Sequence, residues 1–308
     1  MNNHLDLIKI LYGQEIVSGQ EIANKLGISR NMVWKKINAL CSLGFKIDSY
    51  PKGYKLISFP TDITKEEILT KTDTSFEVLV FDTLPSTNDY AKQNISSFSK
   101  NTIIIAKEQT SGKGRFNRKF YSSKGGLYLT MVFKESLDIS YASLITLFTA
   151  VKVCEAIEKV ADIKCDIKWV NDIYHSGKKL CGILSEASIS CEQKTVFDYI
   201  IGIGINVDNK LESEISDIAT SLSVLQQKPI NKSILCAEII KNMQNLTTEI
   251  VESDFINTYK QRLFILGKKV FINEQEALVL DLNKDGSLKV QMGEEIKTFY
   301  AGDVSLKL

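Results

Sequence analysis

Six short apolar runs between residues 76 and 207 constrain the fold of this 308-residue chain more than any other feature. Each has a length typical of a β-strand. Patterns typical of helices occur at 141–161 and at 232–251. Strands with interspersed helices in this irregular order predict a mixed sheet in an α+β protein rather than a simple doubly wound sheet. The runs are FEVLVF (76–81), NTIIIA (101–106), LYLTMVF (127–133), DIKWV (166–170), LCGILSEAS (180–188) and DYIIGIGINV (198–207).

The first part of the chain has the pattern of a winged helix-turn-helix domain. Residues 18–40, SGQEIANKLGISRNMVWKKINAL, predict two short helices joined by a turn at Gly27. Ser18 and Ser29 stand where the helices would begin, and a hydroxyl there can cap free backbone N–H groups. Two alternating segments, FKIDS and GYKLI, lie around YPK within 45–57 and predict a β-hairpin wing.

Charge and side-chain type make this domain a candidate DNA-binding domain. Residues 1–60 carry a net charge of +4, which leaves −3 for the remainder. A basic segment favours a polyanionic partner such as operator DNA. The second helix is predicted to expose Arg30, Asn31, Lys35 and Asn38, whose side chains suit phosphates and base edges. The alternative is a small helical domain whose charges are merely solvated.

Several classes of protein are disfavoured by what the sequence lacks. No apolar run approaches the roughly 20 residues that cross a bilayer, and the N-terminus does not resemble a signal peptide, so we expect a cytoplasmic protein without a membrane partner. Six cysteines without a CxxC pair and only two histidines predict reduced cysteines and no metal site. The P-loop and GxSxG patterns are absent, and Val207 replaces the third glycine of a dinucleotide fingerprint.

Two segments point instead to another kind of anion site. Residues 108–120, EQTSGKGRFNRKF, combine glycines, which allow backbone amides to approach a ligand, with four cationic side chains. Residues 168–184, KWVNDIYHSGKKLCGIL, predict two strands that meet at a turn at 175–177. Such a hairpin would bring the Asp172 carboxylate and the Lys179 ammonium toward one cleft.

These segments, taken together and in order, carry a family resemblance. The motifs LPSTND (84–89), EQTSGKGRFNRKF, KWVNDIY, KKLCGIL and IGIGINV (201–207) resemble those of the biotin protein ligases. With the winged helix-turn-helix domain, the whole chain resembles bacterial members that also repress the biotin operon. The end of the chain, with DGSLKV (285–290) and AGDVSL (301–306), resembles the SH3-like C-terminal β-barrel of that family.

The resemblance implies an α+β multidomain architecture. Its expected parts are a winged helix-turn-helix domain (1–60), a linker containing one short helix (61–75), a central mixed-sheet, biotin/lipoate-ligase-like catalytic domain (76–266) and an SH3-like C-terminal domain (267–308).

The resemblance also implies an activity. Members of the family activate biotin with Mg²⁺-ATP to biotinyl-5′-AMP and then transfer biotin to one lysine of a biotin carboxyl carrier domain of the acetyl-CoA carboxylase type. The adenylate-bound form is expected to homodimerise on operator DNA and repress biotin genes. Two alternatives stay open: a biotin-sensing repressor without ligase activity, and a lipoate-attaching enzyme, since those enzymes share the architecture.

Site residues are carried over from the family motifs position by position. The expected catalytic residues are Lys179, which would bridge the biotin carboxylate and the α-phosphate, Arg115 and Asp172. The expected biotin contacts are Ser86, Thr87, Asn88, Gln109, Lys113, Gly114, Arg115 and Lys179. The expected nucleotide contacts are Arg115, Asn171, Asp172 and Asn206.

Some of these residues also have a purely structural interpretation. Ser86 is suited to cap a helix, and Gly202 and Gly204 could only relieve crowding in a buried strand. Trp169 is expected to pack in the core rather than under an adenine ring.

The chain also departs from the usual family motifs. Lys113 replaces an arginine of the loop, which keeps the charge but loses the bidentate fork. Asn117 replaces a glycine and tolerates left-handed backbone geometry better than most residues. Val170 replaces a frequent proline. The polar segment 208–221 is expected to be a lid that folds on the nucleotide.

Overall fold

The computed structural model describes residues 3–190, 192–300, 302 and 304–305. The chain divides into two compact units, one made of residues 1–74 and 231–238 and the other of residues 75–230 and 239–308. The domain boundaries expected from the sequence stay predictions.

The first unit contains the winged helix-turn-helix. Its elements are α1 (Asn3–Leu11), α2 (Gly19–Leu26), α3 (Arg30–Ser42), β1 (Lys46–Tyr50), β2 (Gly53–Ser58) and α4 (Lys65–Lys71). Ser18 Oγ accepts from Glu21 N at 3.1 Å and Ser29 Oγ accepts from Met32 N at 3.3 Å, so both helices are capped where the sequence predicts. Gly27 ends α2 in the left-handed conformation, at φ 64°.

The core of this domain comes from the apolar faces of its three helices. It includes Leu7, Ile22, Val33, Ile37 and Leu40, all buried. The wing strands pair antiparallel next to this core. Burial of one apolar stripe on each helix leaves the opposite stripe of α3 in solvent.

The second unit is built on a seven-stranded mixed sheet. Its strands are β3 (Glu77–Leu84), β4 (Thr102–Gln109), β5 (Leu127–Asp138), β6 (Asp166–Lys168), β7 (Asp172–His175), β8 (Lys178–Ser190) and β9 (Thr195–Ile205). They lie in the order β3-β4-β5-β9-β8-β7-β6, and the β3–β4 pair is parallel while the other pairs are antiparallel. All six apolar runs thus contribute strands, and the predicted mixed sheet is confirmed.

The remaining helices are α5 (Thr87–Asn94), α6 (Leu144–Ala161), α7 (Leu222–Gln226), α8 (Lys232–Met243), α9 (Leu246–Glu252) and α10 (Phe255–Arg262). The α6 helix is apolar on nearly all sides and largely buried. The pattern at 232–251 suggested one helical segment, but the structure has two helices there. Asn245 separates them because its backbone, at φ −110° and ψ 31°, is outside the helical range.

The C-terminal part of the second unit is a small antiparallel sheet. Its strands are β10 (Lys269–Ile272), β11 (Gln275–Leu282), β12 (Leu288–Met292), β13 (Glu295–Phe299) and β14 (Val304–Ser305), in the order β13-β12-β11-β10-β14. Residues 301, 303 and 306 of the predicted segment AGDVSL lie outside the described residues. Trp169 is buried, and its indole N–H donates to Gly286 O at 3.0 Å, so it is a core residue as expected.

Two further expectations can be compared with the described residues. No helix among them is long and apolar enough to cross a membrane. The five described cysteines are free, and Cys191 lies outside the described residues.

Candidate active site

A cavity of about 190 Å³ lies over the middle of the seven-stranded sheet. The start of α5, the end of β4, the basic loop 110–121, the β7–β8 hairpin and β9 enclose it. Every ligand-site residue predicted from the sequence lies on its wall except Asn206. The lining residues are Ser86, Thr87, Asn88, Gln109, Lys113, Gly114, Arg115, Phe116, Arg118, Lys119, Phe120, Asn171, Asp172, Lys179, Gly182, Ile183, Leu184, Gly202, Ile203 and Gly204.

Glycines on two paired strands form the floor of the cavity. Gly182 of β8 lies opposite Gly204 of β9. A Cβ on Gly204 would come within 2.5 Å of the Phe120 ring, and a Cβ on Gly202 within 2.2 Å of Asn88 Oδ1. The glycines therefore allow side chains of the loop and of α5 to lie directly on the strands. The expectation that Gly202 and Gly204 relieve crowding in a buried strand is thus correct. The absence of side chains at these glycines also leaves space for the cavity.

The start of α5 is attached to the strand that precedes the loop. Ser86 Oγ caps α5 by accepting from Asp89 N at 3.3 Å. Thr87 donates to Gln109 Oε1 from its backbone N at 2.8 Å and from Oγ1 at 3.1 Å. Gln109 Nε2 in turn donates to Ser122 Oγ at 2.9 Å. The Gln109 amide thus joins the two ends of the loop to the helix N-terminus and fixes one wall of the cavity.

Asn88 lines the cavity, but its amide is bonded within the protein. Its Oδ1 accepts from Thr130 Oγ1 at 2.7 Å. Its Nδ2 donates to Leu184 O at 3.2 Å and to Glu186 Oε2 at 3.1 Å. Asn88 therefore anchors α5 to the sheet.

Asn206 is the predicted site residue that the structure does not bring to the cavity wall. It is buried, and its Oδ1 accepts from Asn209 Nδ2 at 3.1 Å. Asn209 Oδ1 also accepts from Val207 N at 3.0 Å. In this arrangement the two amides hold the turn after β9.

The basic loop forms a small hairpin of its own. Gly114 N donates to Arg118 O at 2.8 Å, and Phe120 N donates to Gly112 O at 2.9 Å. Phe116 and Asn117 at its tip have φ values of 55° and 56°. Asn117 thus adopts the left-handed geometry that the sequence led us to expect it to tolerate.

The cations of the loop have different surroundings. Lys113 Nζ lies 2.7 Å from Asp89 Oδ2, at the start of α5. The Arg115 and Arg118 guanidinium groups lie 5.0 and 6.0 Å from the ring centre of Phe116, which is largely exposed. Arg115 Nη1 also donates to Asn171 Oδ1 at 3.2 Å. Arg115 is therefore bonded to the strand hairpin across the cavity.

The predicted carboxylate and ammonium meet at the β7–β8 hairpin. Lys179 Nζ lies 2.7 Å from Asp172 Oδ1. Asn171, next to Asp172, donates from Nδ2 to Ile183 O at 2.9 Å. Both charged groups line the cavity, as the sequence predicted.

Lys179 is also held by a segment that the sequence did not connect with it. Its backbone N donates to Ile218 O at 2.8 Å, and its O accepts from Thr220 N at 2.9 Å. The other end of the expected lid is also attached, since Asp208 N donates to Gly125 O at 2.9 Å. The folding of 208–221 on a nucleotide stays a prediction.

Two buried, uncharged groups, a thiol and a phenolic hydroxyl, lie near this ion pair. Burial raises the pKa of the Cys181 thiol well above its usual value, and burial likewise raises the pKa of the Tyr259 hydroxyl. Tyr259 OH donates to Val170 O at 3.1 Å. Both groups therefore stay protonated near neutral pH, and the charge of the cavity comes from its lysines, arginines and Asp172.

The wall of the cavity carries five cationic side chains and one carboxylate. This excess of positive charge makes the cavity suited to an anionic ligand and to negative charge that develops during a reaction.

The predicted DNA-binding residues lie together on α3. Arg30, Asn31, Lys35 and Asn38 are all exposed. A groove of about 580 Å³ runs between the start of α3 and the wing. Trp34 lines this groove and is 53% exposed, although the sequence analysis did not select it. Its position among Arg30, Asn31, Lys35 and Asn38 on the outward stripe could have indicated it.

The comparison with known proteins covers both units. The Biotin/lipoate A/B protein ligase family matches residues 80–206, and an HTH domain family matches residues 3–55. The chain is 32% identical over 319 residues to the Bifunctional ligase/repressor BirA of Bacillus subtilis (strain 168), with 98% of both chains covered. It is 29% identical over 315 residues to the protein of the same name in Escherichia coli (strain K12), with 98% of this chain and 97% of that protein covered.

A solved structure with a similar fold is the biotin protein ligase from Aquifex aeolicus in complex with biotin and ATP. It has a TM-score of 0.63 and 26% identity, and the match covers 75% of this chain and 98% of that chain.

Proposed function

Because this chain belongs to the family of bifunctional biotin protein ligases and repressors, we propose that it activates biotin with ATP, attaches it to a carrier protein and represses transcription. In the first step a biotin carboxylate oxygen forms a bond to the α-phosphorus of ATP and pyrophosphate leaves. In the second step a lysine amine of a biotin carboxyl carrier domain attacks the acyl carbon of biotinyl-5′-AMP, and AMP leaves.

The observation that carries the ligase activity is the Lys179–Asp172 pair, 2.7 Å apart, on the wall of a basic cavity. A carboxylate and a phosphate repel each other, so their reaction needs a cation between them. Lys179 is proposed to bind both anions, and Asp172 holds the ammonium in position until the substrates enter. Arg115, which is bonded to Asn171, is proposed to contact the α-phosphate as negative charge develops there.

The remaining cavity residues divide into binding and positioning roles. Gln109, Ser86 and Thr87 form the polar wall proposed to face the biotin ring, whereas Asn88 positions α5. Lys113 and Gly114 are proposed to cover the bound adenylate, which excludes water from a reactive mixed anhydride.

The nucleotide is proposed to contact Asn171 and Asp172, and Asn206 acts through the turn that it holds. Mg²⁺ enters with ATP as part of the substrate. The described residues contain no group of three His, Cys, Asp or Glu side chains that could hold a metal ion by themselves. A single carboxylate, Asp172, together with substrate phosphates is a usual Mg²⁺ environment.

For the first unit, the exposed polar stripe of α3 and the wing are proposed to bind operator DNA. Arg30, Asn31, Lys35 and Asn38 would enter the major groove, as the second helix of a helix-turn-helix does. Two copies are proposed to bind a two-fold operator as a homodimer when the adenylate is bound. A cytoplasmic location is proposed with this function.

Two other functions give different results in simple assays. A biotin sensor without ligase activity would not need the Lys179–Asp172 pair or the hydrogen bond between Arg115 and Asn171, and the structure has both. A lipoate-attaching enzyme of the same family would bind lipoate in preference to biotin. Competition between the two acids for the purified protein distinguishes these functions.

The test of the proposed function is mass spectrometry of a biotin carboxyl carrier domain incubated with the protein, biotin and Mg²⁺-ATP. We expect one biotinyl mass gain with the wild type and a loss of at least about a hundredfold in rate with Lys179→Ala. Lys178→Ala is the matched control, since Lys178 belongs to the same hairpin but is exposed and outside the cavity. No mass gain with several carrier domains, while biotin still alters DNA binding, would refute the ligase and leave a sensor.

A further inference from the structure

The exposed aromatic side chain on the outward stripe of α3 has no role in the function proposed above. Trp34 is 53% exposed and lines the groove between α3 and the wing. A single exposed apolar side chain is common on protein surfaces and does not by itself indicate a partner. The position of Trp34 among its neighbours on the helix therefore has to show what it contacts.

The helical periodicity of α3 places Trp34 between charged side chains. At about 100° per residue, Trp34 and the four residues proposed to bind DNA span about 140° around the helix axis. Their order around the axis is Arg30, Trp34, Asn38, Asn31 and Lys35, and all five are exposed. The two cations thus lie at the edges of the stripe, and the three neutral side chains lie between them.

This order fits the major groove of DNA. Phosphates follow both sides of the groove, and the edges of the bases form its floor. Arg30 and Lys35, at the two edges of the stripe, are placed to contact phosphates, whereas the side chains between them face the bases. Asn31 and Asn38 can bond to polar atoms of the base edges, but an indole ring packs best against an apolar group.

Thymine supplies that apolar group. Its C5 methyl group projects into the major groove, whereas the other groups that the bases use for recognition there are hydrogen-bond donors and acceptors. The groove beside Trp34 also contains Arg30 and Lys52, and no carboxylate is among its lining residues, all of which are described. The surroundings of the indole ring are therefore suited to a polyanion that carries an apolar group.

On the basis of the proposed operator binding, we propose that Trp34 determines part of the operator sequence by packing against the methyl group of a thymine in each half-site. This contact removes apolar surface of the ring and of the methyl group from water. Cytosine carries no methyl group at the corresponding place, so a C·G pair there lacks the contact. Two copies on a two-fold operator make the contact twice.

The test begins with an operator selected from random-sequence DNA by the full-length protein in the presence of biotin and Mg²⁺-ATP. Deoxyuridine then replaces thymidine at one symmetric pair of positions at a time, which removes only the methyl groups. Fluorescence anisotropy gives the Kd of each duplex for the wild type, for Trp34→Ala and for a control variant. Because the Trp34 side chain is largely exposed, we expect Trp34→Ala to fold normally.

Met32→Ala is the matched control. Met32 is an exposed apolar residue of the same helix, but it does not line the groove. It lies about 160° around the helix axis from Trp34, so it points away from the bases that Trp34 is proposed to contact.

For the wild type, we expect one symmetric pair of thymines whose replacement raises the Kd by about tenfold, since each methyl contact contributes a factor of about four. With Trp34→Ala, the same replacement should change the Kd by less than about twofold, whereas Met32→Ala should respond like the wild type. The affinity of Trp34→Ala for random-sequence DNA should stay within about twofold of the wild-type value, because phosphate contacts dominate nonspecific binding.

The absence of a sensitive thymine position in the wild type would overturn the inference, and so would a sensitivity that persists in Trp34→Ala. An equal loss of affinity for operator and random-sequence DNA in Trp34→Ala would also overturn it, because Trp34 would then contact the sugar–phosphate backbone. If the wild type enriches no DNA sequence, the proposed repressor function is itself contradicted.

Discussion

Gly202→Ala is expected to destabilise the second unit by displacing the anchor of α5. A Cβ at Gly202 would lie 2.2 Å from Asn88 Oδ1, 2.8 Å from its Cγ and 3.0 Å from its Nδ2. The Asn88 side chain cannot move away freely, because Thr130, Leu184 and Glu186 all bond to its amide. The new methyl group must therefore break these bonds or distort β9.

Two contributions give the expected magnitude. Insertion of a methyl group into a packed core costs about 1–3 kcal/mol. Loss of partners for the buried Asn88 and Thr130 groups costs about 1–3 kcal/mol more. We therefore expect a decrease of about 2–6 kcal/mol in the free energy of unfolding of the second unit.

The assay is urea denaturation followed by tryptophan fluorescence. The chain has two tryptophans, of which Trp169 is buried in the second unit and Trp34 is largely exposed in the first. A Trp34→Phe background makes the signal specific for the second unit, which avoids treating two units as one transition.

Asn88→Ala provides the decisive control in a double-mutant cycle. With the Asn88 amide removed, the extra methyl group has space, so Gly202→Ala should then cost less than about 0.5 kcal/mol. An equal cost in both backgrounds would refute the steric argument, and so would a Gly202→Ala variant as stable as the wild type.

Three further predictions concern DNA binding, pH and thiol reactivity. Lys35→Ala should weaken operator binding and reduce by about one the slope of log K against log salt concentration, whereas Trp34→Ala should weaken binding without changing this slope. Fluorescence anisotropy titrations at several salt concentrations measure both effects. Equal slopes for Lys35→Ala and the wild type would contradict a phosphate contact by Lys35. Desolvation of the Glu158 carboxylate is outweighed by hydrogen bonds from Arg262 and a backbone N–H, so its pKa is lowered from 4.5. Because the pKa of Glu158 is lower in the folded protein than in the unfolded chain, its ionised carboxylate stabilises the fold at every pH above the pKa of the unfolded chain. This stabilisation is lost as the pH falls through the pKa of the folded protein. Glu158→Gln should therefore reduce stability at neutral pH, and this loss should become smaller as the pH falls below 4.5, as urea denaturation over a series of pH values will show. Alkylation of the native protein should modify exposed Cys41 before the four buried cysteines, as peptide mass spectrometry will show; early modification of a buried thiol would contradict its burial.

Local patterns were sufficient to predict the parts of the site that lie close together in sequence. The β7–β8 hairpin follows from two strand patterns and a turn, and within this hairpin Lys179 Nζ lies 2.7 Å from Asp172 Oδ1. The caps of α2 and α3 likewise depend on residues three positions apart. Such contacts need no knowledge of the rest of the fold.

Contacts between distant segments could not be predicted in this way. Asn88 bonds to Thr130 and to Glu186, which are 42 and 98 positions away, so nothing local shows that its amide is already occupied. The hydrogen bond between Asn206 and Asn209 is local in sequence. The sequence nevertheless could not show whether Asn206 makes this bond or contacts a ligand, because that choice depends on where the cavity lies. The bonds from 218–220 to Lys179 also required the folded chain.

The polar residues of the site therefore belong to two groups with different expected responses to substitution. Asn88 uses its amide within the protein, so its replacement should change the shape of the cavity and the binding of both substrates together. Arg115 and Lys179 are instead bonded to groups that also line the cavity, so they can exchange these partners for a ligand. Their replacement should lower the rate of activation more than the affinity for biotin, because an interaction that strengthens as charge develops acts mainly on kcat.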